Sequence, residues 1–540
     1  MKKTGNILLA AILVWASFGC SLKENMSGMP DRSNSYNTPA QAQAVVNACY
    51  CYTNFMTTNF GLMVEACTDL WYCSTSTVDA SLNISPTNPG QGVTIWQRCY
   101  TGIMTCNEAI ECILNRSPLA DEVKYPLQAE ARVLRALYYY YLTNTFNGVP
   151  FYLNMVETRE DQDRIQKLPR TAANEIRRAL YEDLRLNAVP YFTEENGLKA
   201  RPSEITGNRA GYALALMLMA KFAMWYGDYD QALTALKPLE ALYGTLSEEN
   251  YPLSDTYWTT KNVPESIFEI QHAWSTTGVQ YSSSYGRLTL PNYDGDGVFD
   301  GVPMPELGKR ISTWASLKTT NHFMKMSANA TSSSIFSNVP LKTDALTGKI
   351  TIDLDAIASG TAQGSKLDRR ILSTIGLGRL VTGETFKQVS EGKYGYAGPK
   401  LWCNNMTGAY DSNNYKIFRY ADAVLMMAEC YAMKNNWSLA LSYLNRTRLR
   451  AGLDALYGVN DRQTFMEELM NERARELAGE LHRKYDLVRW GVWYEKTLAH
   501  NPYTALTRDN MREYHEYYPI PDSECALSGY ILTNDAYNSD

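Results

Sequence analysis

Acids and bases crowd one stretch near the C-terminus, where residues 471–491 read NERARELAGELHRKYDLVRWG. Glu472, Glu476 and Glu480 recur at helical spacing, with Arg473, Arg475 and Arg483 among them. Two chemistries suit that pattern. A carboxylate pair could act as acid and base, or the charges could cancel one another inside the fold. At intervals of four, Leu469, Arg473, Leu477 and Leu481 form one row, and at helical steps of four and three Glu476, Glu480, Arg483 and Leu487 form the row beside it. Arg473 thus falls in an otherwise apolar stripe, where its donors need carboxylates. Glu472, Glu476 and Glu480 are placed to supply them, which favours a structural ion network over a catalytic pair.

Other reactive patterns are weaker. The chain holds no nucleophile elbow and no HExxH, and Gly360-Thr-Ala-Gln-Gly364-Ser-Lys366 falls short of a phosphate loop in spacing. Asn292-x-Asp294-x-Asp296-Gly297 matches the first half of a calcium loop, with Asp300 at the ninth position. The twelfth position is Pro303 rather than Glu, so Asp294, Asp296 and Asp300 read as a polar turn ahead of a calcium site. The five histidines (272, 322, 482, 500, 515) have no metal-ligand spacing. No cofactor and no catalysis are expected; a glycoside hydrolase would need two carboxylates set across a cleft, and nothing points to such a pair. The aromatics are the unusual component, 38 Tyr and 11 Trp against 14 Phe. Each has a flat apolar face and a polar edge, which suits wet interfaces and sugar stacking.

Helices must position these groups. The periodicity predicts them over Thr38–Met56, Ile95–Leu114, Gln128–Thr145, Thr171–Leu186 and Asn208–Tyr226, the third apolar round most of its circumference. Ala220–Leu236 and Ala428–Leu444 align without a gap, Gly227 matching Asn435 and Ala232-Leu233 matching Ala440-Leu441. Each reads as a helical hairpin of tetratricopeptide type, and the two must meet in space to bury a continuous core. Residues 274–416 differ, being rich in Gly, Ser, Thr, Asn and Tyr with short β-like patches at Lys349–Leu354 and Phe386–Val389. The stretch Trp71–Gly92 has the same character. Trp71, Tyr72, Trp274, Tyr281, Tyr285, Tyr293, Trp314 and Trp402 all lie in these two irregular regions.

The 540 residues, 45% hydrophobic and 20% charged, suit a large globular protein. A net charge of −6 argues against non-specific nucleic-acid binding. Lys2 and Lys3 precede an apolar run, Ile7–Ala16, too short to span a membrane as a mature helix. Ser17-Phe18-Gly19-Cys20 resembles a bacterial lipobox, with Cys20 as the lipidated first residue. Met26–Thr38 then reads as a tether. Cys99, Cys106 and Cys430 fall among apolar neighbours as small hydrophobes, and the cysteine spacing names no disulfide pairs.

The C-terminal stretch resembles the ER-x-x-EL-x-x-EG-x-R-x-x-DL-x-RWG signature of the SusD/RagB family, with Leu481 in place of the Gly. Other motifs follow in order: Trp96…Asn107, Glu130-Ala-Arg-Val-Leu-Arg135, Gly148-Val-Pro150, Asp183-Leu184, Glu265-Ser-Ile-Phe-Glu269, Asp368-Arg369-Arg370, Arg419-Tyr-Ala-Asp422 and Pro519-Ile-Pro521. The resemblance implies a mainly α fold, a tetratricopeptide-like scaffold with long irregular ligand-binding loops and a few short strands. It implies residues 1–19 as signal peptide and 20–38 as tether. Residues 39–240 would then be an N-terminal helical region and 241–540 a C-terminal region, packed as one unit. Within the latter, 274–416 is the ligand face and 417–540 helical scaffold. It further implies a lipid-anchored outer-membrane protein facing the cell exterior that binds glycan, performs no chemistry and serves a SusC-like TonB-dependent transporter. The family's ligand site draws on the two irregular regions, which makes Trp71, Tyr72, Tyr281, Tyr285, Tyr293, Asp294 and Trp314 the expected sugar-binding residues. The alternative is a tetratricopeptide-type surface adaptor for peptide or protein.

Overall fold

The helix Asp121–Phe146 is buried from Leu127 onward at every position but Arg132, as a segment apolar round its circumference must be. The computed structural model describes residues 35–55, 58–254, 256–274, 280–289, 298–299, 302–303, 316–327, 341–343, 350–352, 368–376, 378–381, 385–388, 396–401, 410–503 and 505–537. The central helix packs on Gly92–Asn115, and Gly102 permits the approach: a Cβ there would lie 2.5 Å from the Tyr138 ring. Arg135 donates to Asn107 Oδ1 and to Asp183 Oδ2, both at 2.7 Å, and so ties the pair to the helix Ala173–Asn187. Asn147 then ends the helix at φ +63°, in the left-handed region that Asn tolerates.

Near the start of the described chain, Thr38 and Gln41 close a capping box with Pro39 at the first helical position. That helix stops at Ala48, short of the expected Met56. Tyr50 turns inward instead, and its hydroxyl accepts from the Ala210 N–H at 2.7 Å. A 3-10 turn, Cys51–Phe55, follows.

The two aligned segments form hairpins with the same turn. Tyr212–Trp225 and Tyr229–Tyr243 are joined at Gly227 (φ +77°), and Tyr420–Met433 and Trp437–Arg450 at Asn435 (φ +57°). Asp228 and Asn436 cap the second helix of each, accepting from the N–H three residues on. Ala232 and Ala440 are fully buried in the hairpin seams. The hairpins meet as expected. Tyr243 stacks on Tyr420 at 4.9 Å, and Glu240 accepts from Tyr443 Oη at 2.6 Å and pairs with Arg446 at 2.7 Å. The scaffold is therefore a mainly helical, tetratricopeptide-like array built from both ends of the chain.

Between the hairpins the chain changes to strands. Ser266–Ile270 and Tyr415–Arg419 pair antiparallel, and every residue of both is buried. A four-stranded sheet has the order Trp71–Cys73, Leu317–Thr319, Tyr396–Ala397, Ile375–Gly376. Gly378–Val381 pairs with Thr385–Gln388 in a separate two-stranded ribbon, and Leu341–Thr343 pairs with Ile350–Ile352. The β-like patches at 349–354 and 386–389 fall on two of these strands.

The stretch 71–92, expected to be irregular, opens on the strand Trp71–Cys73 and then turns inward. Asp79, Ala80, Ser81 and Leu82 are buried, because Asp79 accepts from the Gln91 N–H (2.8 Å) and from Tyr518 Oη (3.0 Å), which folds the segment inward. Among the described residues no helix is long and apolar enough to cross a membrane, and Cys99, Cys106 and Cys430 are buried thiols.

Candidate functional site

The C-terminal charged helix runs from Arg462 to Leu477 and does not continue to Leu481. Ala478 turns extended, and Gly479 (φ +78°) and Leu481 (φ +66°) are left-handed. The row Leu469–Leu481 therefore breaks, and Glu480 and Arg483 leave the row of Glu476. This corrects the partners expected for Arg473. They are Asp486, at 2.8 Å from Nε and 2.6 Å from Nη2, and Asp422 at 2.9 Å, rather than the three glutamates. The turn at 478–482 folds the helix Arg483–Arg489 back and delivers Asp486 to Arg473.

The glutamates serve other cations. Glu472 meets Arg370 (2.7 Å) and Arg475 (2.9 Å), and Glu480 meets Lys400 (2.9 Å) and Arg419 (2.7 Å). Glu476 meets Arg370, Arg419 and Arg450 at 2.8, 2.6 and 2.5 Å. Glu265 joins Arg419 and Arg450 at 2.9 Å each, and Asp368 pairs with Arg370 at 2.7 Å. All these groups are buried. Burial alone would raise the glutamates, but the facing arginines hold Glu476 well below the usual carboxylate range and Glu472 down at about 2. Both are therefore held ionised at neutral pH, as counter-ions to the arginines. The set is a fastening. Arg370 and Lys400 come from the loop-rich region, Glu265 and Arg419 from the buried strand pair, Arg450 from the second hairpin, and the glutamates from the C-terminal helix. A further tie, Arg483 to Asp69 at 2.8 and 2.6 Å, secures the segment just before Trp71.

On this base sits the four-stranded sheet. Along Trp71–Cys73 the first and third residues are buried and Tyr72 is half-buried, the alternation of a strand with one inner face. Trp71 is 0% exposed, which corrects its expected role as an exposed stacking ring. Its indole lies over Gly479, where a Cβ would be 2.4 Å away. Tyr285 is likewise 1% exposed, its ring against Gly61, where a Cβ would be 2.1 Å away. Neither offers a face to solvent. Tyr72 and Tyr281 remain candidates. Tyr72 faces Lys318 in register, and Lys318 in turn faces Tyr396 on the next strand. Burial pushes the Lys318 ammonium down to about 8. Tyr281 is half-buried, stacks on His272 at 5.5 Å, and shares a hydrogen bond with Thr53 Oγ1 at 3.3 Å. Tyr293, Asp294 and Trp314 lie outside the described residues, as do the calcium candidates Asp296 and Asp300 and the lipidation candidate Cys20. Among the described residues no group of three His, Cys, Asp or Glu is placed to hold a metal ion.

A cavity of about 30 Å³ lies where the strands meet the fastening, lined by Trp258, Tyr285, Lys400, Asp411, Asn413 and Glu480 among others. That volume holds about two waters and is too small for a sugar ring. Its rim contains two residues that sequence reasoning passed over. Trp258 is half-buried with Lys400 Nζ 4.4 Å from its ring, and Asn413 donates to the Trp258 carbonyl at 3.2 Å. The polar, aromatic stretch around Trp258 was a local signal; Lys318 had none, because its place depends on a strand pairing across 246 positions (318 less 72).

Comparisons with known proteins agree with this architecture. Residues 25–215 match a family described as starch-binding and associating with the outer membrane, and residues 387–537 match the SusD family. A SusD-like protein of Formosa agariphila is 24% identical over 99% of both chains. A solved laminarin-binding SusD-like protein superposes with a TM-score of 0.65 at 20% identity, covering 92% of this chain and 99% of that one. The surface glycan-binding protein A of Bacteroides uniformis superposes with a TM-score of 0.63 at 20% identity, covering 93% and 100%. The motif order, the paired hairpins, the charged turn and these matches lead to one conclusion: the chain belongs to the SusD/RagB family.

Proposed function

We propose that this protein is a cell-surface glycan-binding lipoprotein, anchored through Cys20, that captures oligo- or polysaccharide and delivers it to a SusC-like TonB-dependent transporter in the outer membrane. The observation that carries the reading is Tyr72, a half-buried tyrosine on a sheet fastened to a rigid helical array. Such a ring can stack on a pyranose face without paying to order a loop. Two of the similar structures, a laminarin-binding SusD-like protein and a surface glycan-binding protein, support the same ligand class. Tyr281 and the rim residue Trp258 extend the candidate surface, with Tyr293, Asp294 and Trp314 as further candidates by position. In this role the protein binds and does not cleave.

Affinity electrophoresis against a polysaccharide panel tests the capture step. Retardation by at least one glycan, reduced in Tyr72→Ala, is the expected result. Co-purification of a β-barrel transporter tests delivery, and loss of membrane association in Cys20→Ala tests the anchor. A tetratricopeptide adaptor is the second reading, favoured by the exposed Leu439 and Leu449 on the second hairpin. It predicts a protein partner lost in Leu449→Asp and retained in Tyr72→Ala. Release of reducing ends on incubation with a bound glycan would overturn the non-catalytic part.

A further inference from the structure

A cavity too small for a sugar ring can still take a group that the ring carries. The cavity of about 30 Å³ beside Trp258 has Tyr285 and Asn413 in its lining. The Tyr285 hydroxyl and Asn413 Oδ1 are both buried, and neither has a hydrogen-bond partner among the described residues. Buried polar atoms are nearly always paired, so two orphans on one cavity point to a ligand. Their neighbours fix which atoms are free. Asn413 donates its Nδ2 to the Trp258 carbonyl at 3.2 Å and its N–H to Asp411 Oδ1 at 2.8 Å, which leaves Oδ1 as the open end. The Tyr285 N–H donates to Tyr415 Oη at 2.8 Å, and its ring lies against Gly61. Only its hydroxyl is uncommitted. The two segments are bridged antiparallel at Ser283 and Asp411 and run from that bridge in opposite directions, so Tyr285 and Asn413 stand at its two ends.

The rest of the lining limits what fits. Lys400 is matched by Glu480 at 2.9 Å, and Lys416 by Glu269 at 3.6 Å and the Thr260 carbonyl at 2.8 Å. An acidic substituent would meet Asp411 and Glu480, a basic one Lys400 and Lys416, and either would have to displace an existing partner. A neutral group remains. It must accept from a hydroxyl, donate to an amide oxygen and show some apolar surface to the Trp258 ring, within about the space of two waters. The acetamido group of an N-acetylhexosamine meets each requirement. Its carbonyl oxygen and its N–H point to opposite edges of one planar amide, and its methyl is apolar. An O-acetyl group lacks the donor, and a hydroxymethyl group lacks the methyl.

We propose that this cavity is a specificity pocket for the acetamido group of a glycan containing N-acetylhexosamine, with Tyr285 Oη donating to its carbonyl, Asn413 Oδ1 accepting from its N–H and Trp258 covering its methyl. The inference rests on the glycan-binding reading and narrows it to a ligand class. The pyranose ring stays outside, at the Trp258 rim. Tyr285 acts here through its hydroxyl, not through the ring face that the fold buries.

Calorimetry of the full chain with chitohexaose and cellohexaose tests this, because the two share a backbone and differ by acetamido against hydroxyl at one carbon. Desialylated mucin glycans carry the same group on other linkages, and laminarin lacks it. At least one acetamido glycan is expected to bind more tightly than cellohexaose and laminarin. In saturation-transfer NMR its acetyl methyl should receive more saturation than its ring protons. Tyr285→Phe removes the hydroxyl alone and should weaken that binding about tenfold, the worth of one buried hydrogen bond. Its melting temperature should hold or rise, since the lost hydroxyl has no partner in the fold. Asn413→Ala should weaken acetamido binding by a similar factor. No preference for the acetamido group over cellohexaose and laminarin, or acetamido-glycan affinity within twofold of the parent in both variants, overturns the inference and leaves glycan binding intact. A cavity that holds only water would give that second result. Binding of no probe and of no other glycan in the panel sinks the glycan reading itself.

Discussion

Glu65 is a fully buried carboxyl with one hydrogen bond, from the Leu481 N–H at 2.7 Å. Burial pushes it up to about 8, against the smaller opposite pull of that N–H and of Lys400. Its folded pKa thus lies above the ordinary value of about 4.3. Between those values the folded state holds a proton that the unfolded chain releases, so this group makes stability fall as pH rises from about 4.3 to about 8. Glu65→Gln keeps an acceptor for Leu481 and removes the titration. Melting temperatures of parent and variant should therefore separate progressively from pH 5 to pH 8, as the parent loses stability that the variant keeps; parallel curves would refute the assignment. Gly479 supplies a second residue-scale prediction. Alanine there meets both a φ of +78° and the Trp71 ring at 2.4 Å, so Gly479→Ala should cost about 3 kcal/mol in chemical unfolding.

At the scale of elements, the turn 478–482 does most to shape the site, because it ends one helix, seats Trp71 and presents Asp486 to Arg473. The family signature has Gly where this chain has Leu481 at φ +66°. A left-handed Leu costs about 1 kcal/mol, but Leu481 is also 5% exposed, and burying that side chain contributes about 2 kcal/mol. Burial wins, so Leu481→Gly should destabilise by about 1 kcal/mol, as denaturant titration would show, despite relieving the strain. The same turn explains what the sequence could and could not disclose. The hairpins at Gly227 and Asn435 were legible because their contacts span a few residues. The stripe through Leu477 to Leu481 misled because its spacing of four continues past Ala478-Gly479, where the backbone does not. Trp71 read as exposed because its covering partners, Leu317–Thr319 and Gly479, lie hundreds of positions away. Glu265 and Asp422 carry no local sign of their role, because Arg419 and Arg450 lie 154 and 185 positions beyond Glu265 and Arg473 reaches Asp422 from a different helix.

The whole molecule adds an acid limit to the alkaline one. Glu472 sits at about 2 and Glu476 well below its ordinary range, so both contribute stability that is present above about 4.3 and lost as pH falls through their folded values. With Glu65 acting in the opposite direction, melting temperature should peak in mildly acid solution and drop steeply below about pH 4; a flat profile between pH 2 and 5 would contradict the fastening. Because the network is buried, 0.5 M NaCl should shift the melting temperature by little. The tie between Arg483 and Asp69 spans 414 positions, and Leu481 reaches Glu65 across 416. That separation has a consequence in time. The strand bearing Tyr72 pairs with Leu317–Thr319, but Gly479 under Trp71 and Arg483 on Asp69 arrive only with the last eighth of the polypeptide, so this face is completed late. A chain that reaches its compartment N-terminus first stays pliable through most of its passage. It becomes able to hold a ligand only when its tail arrives.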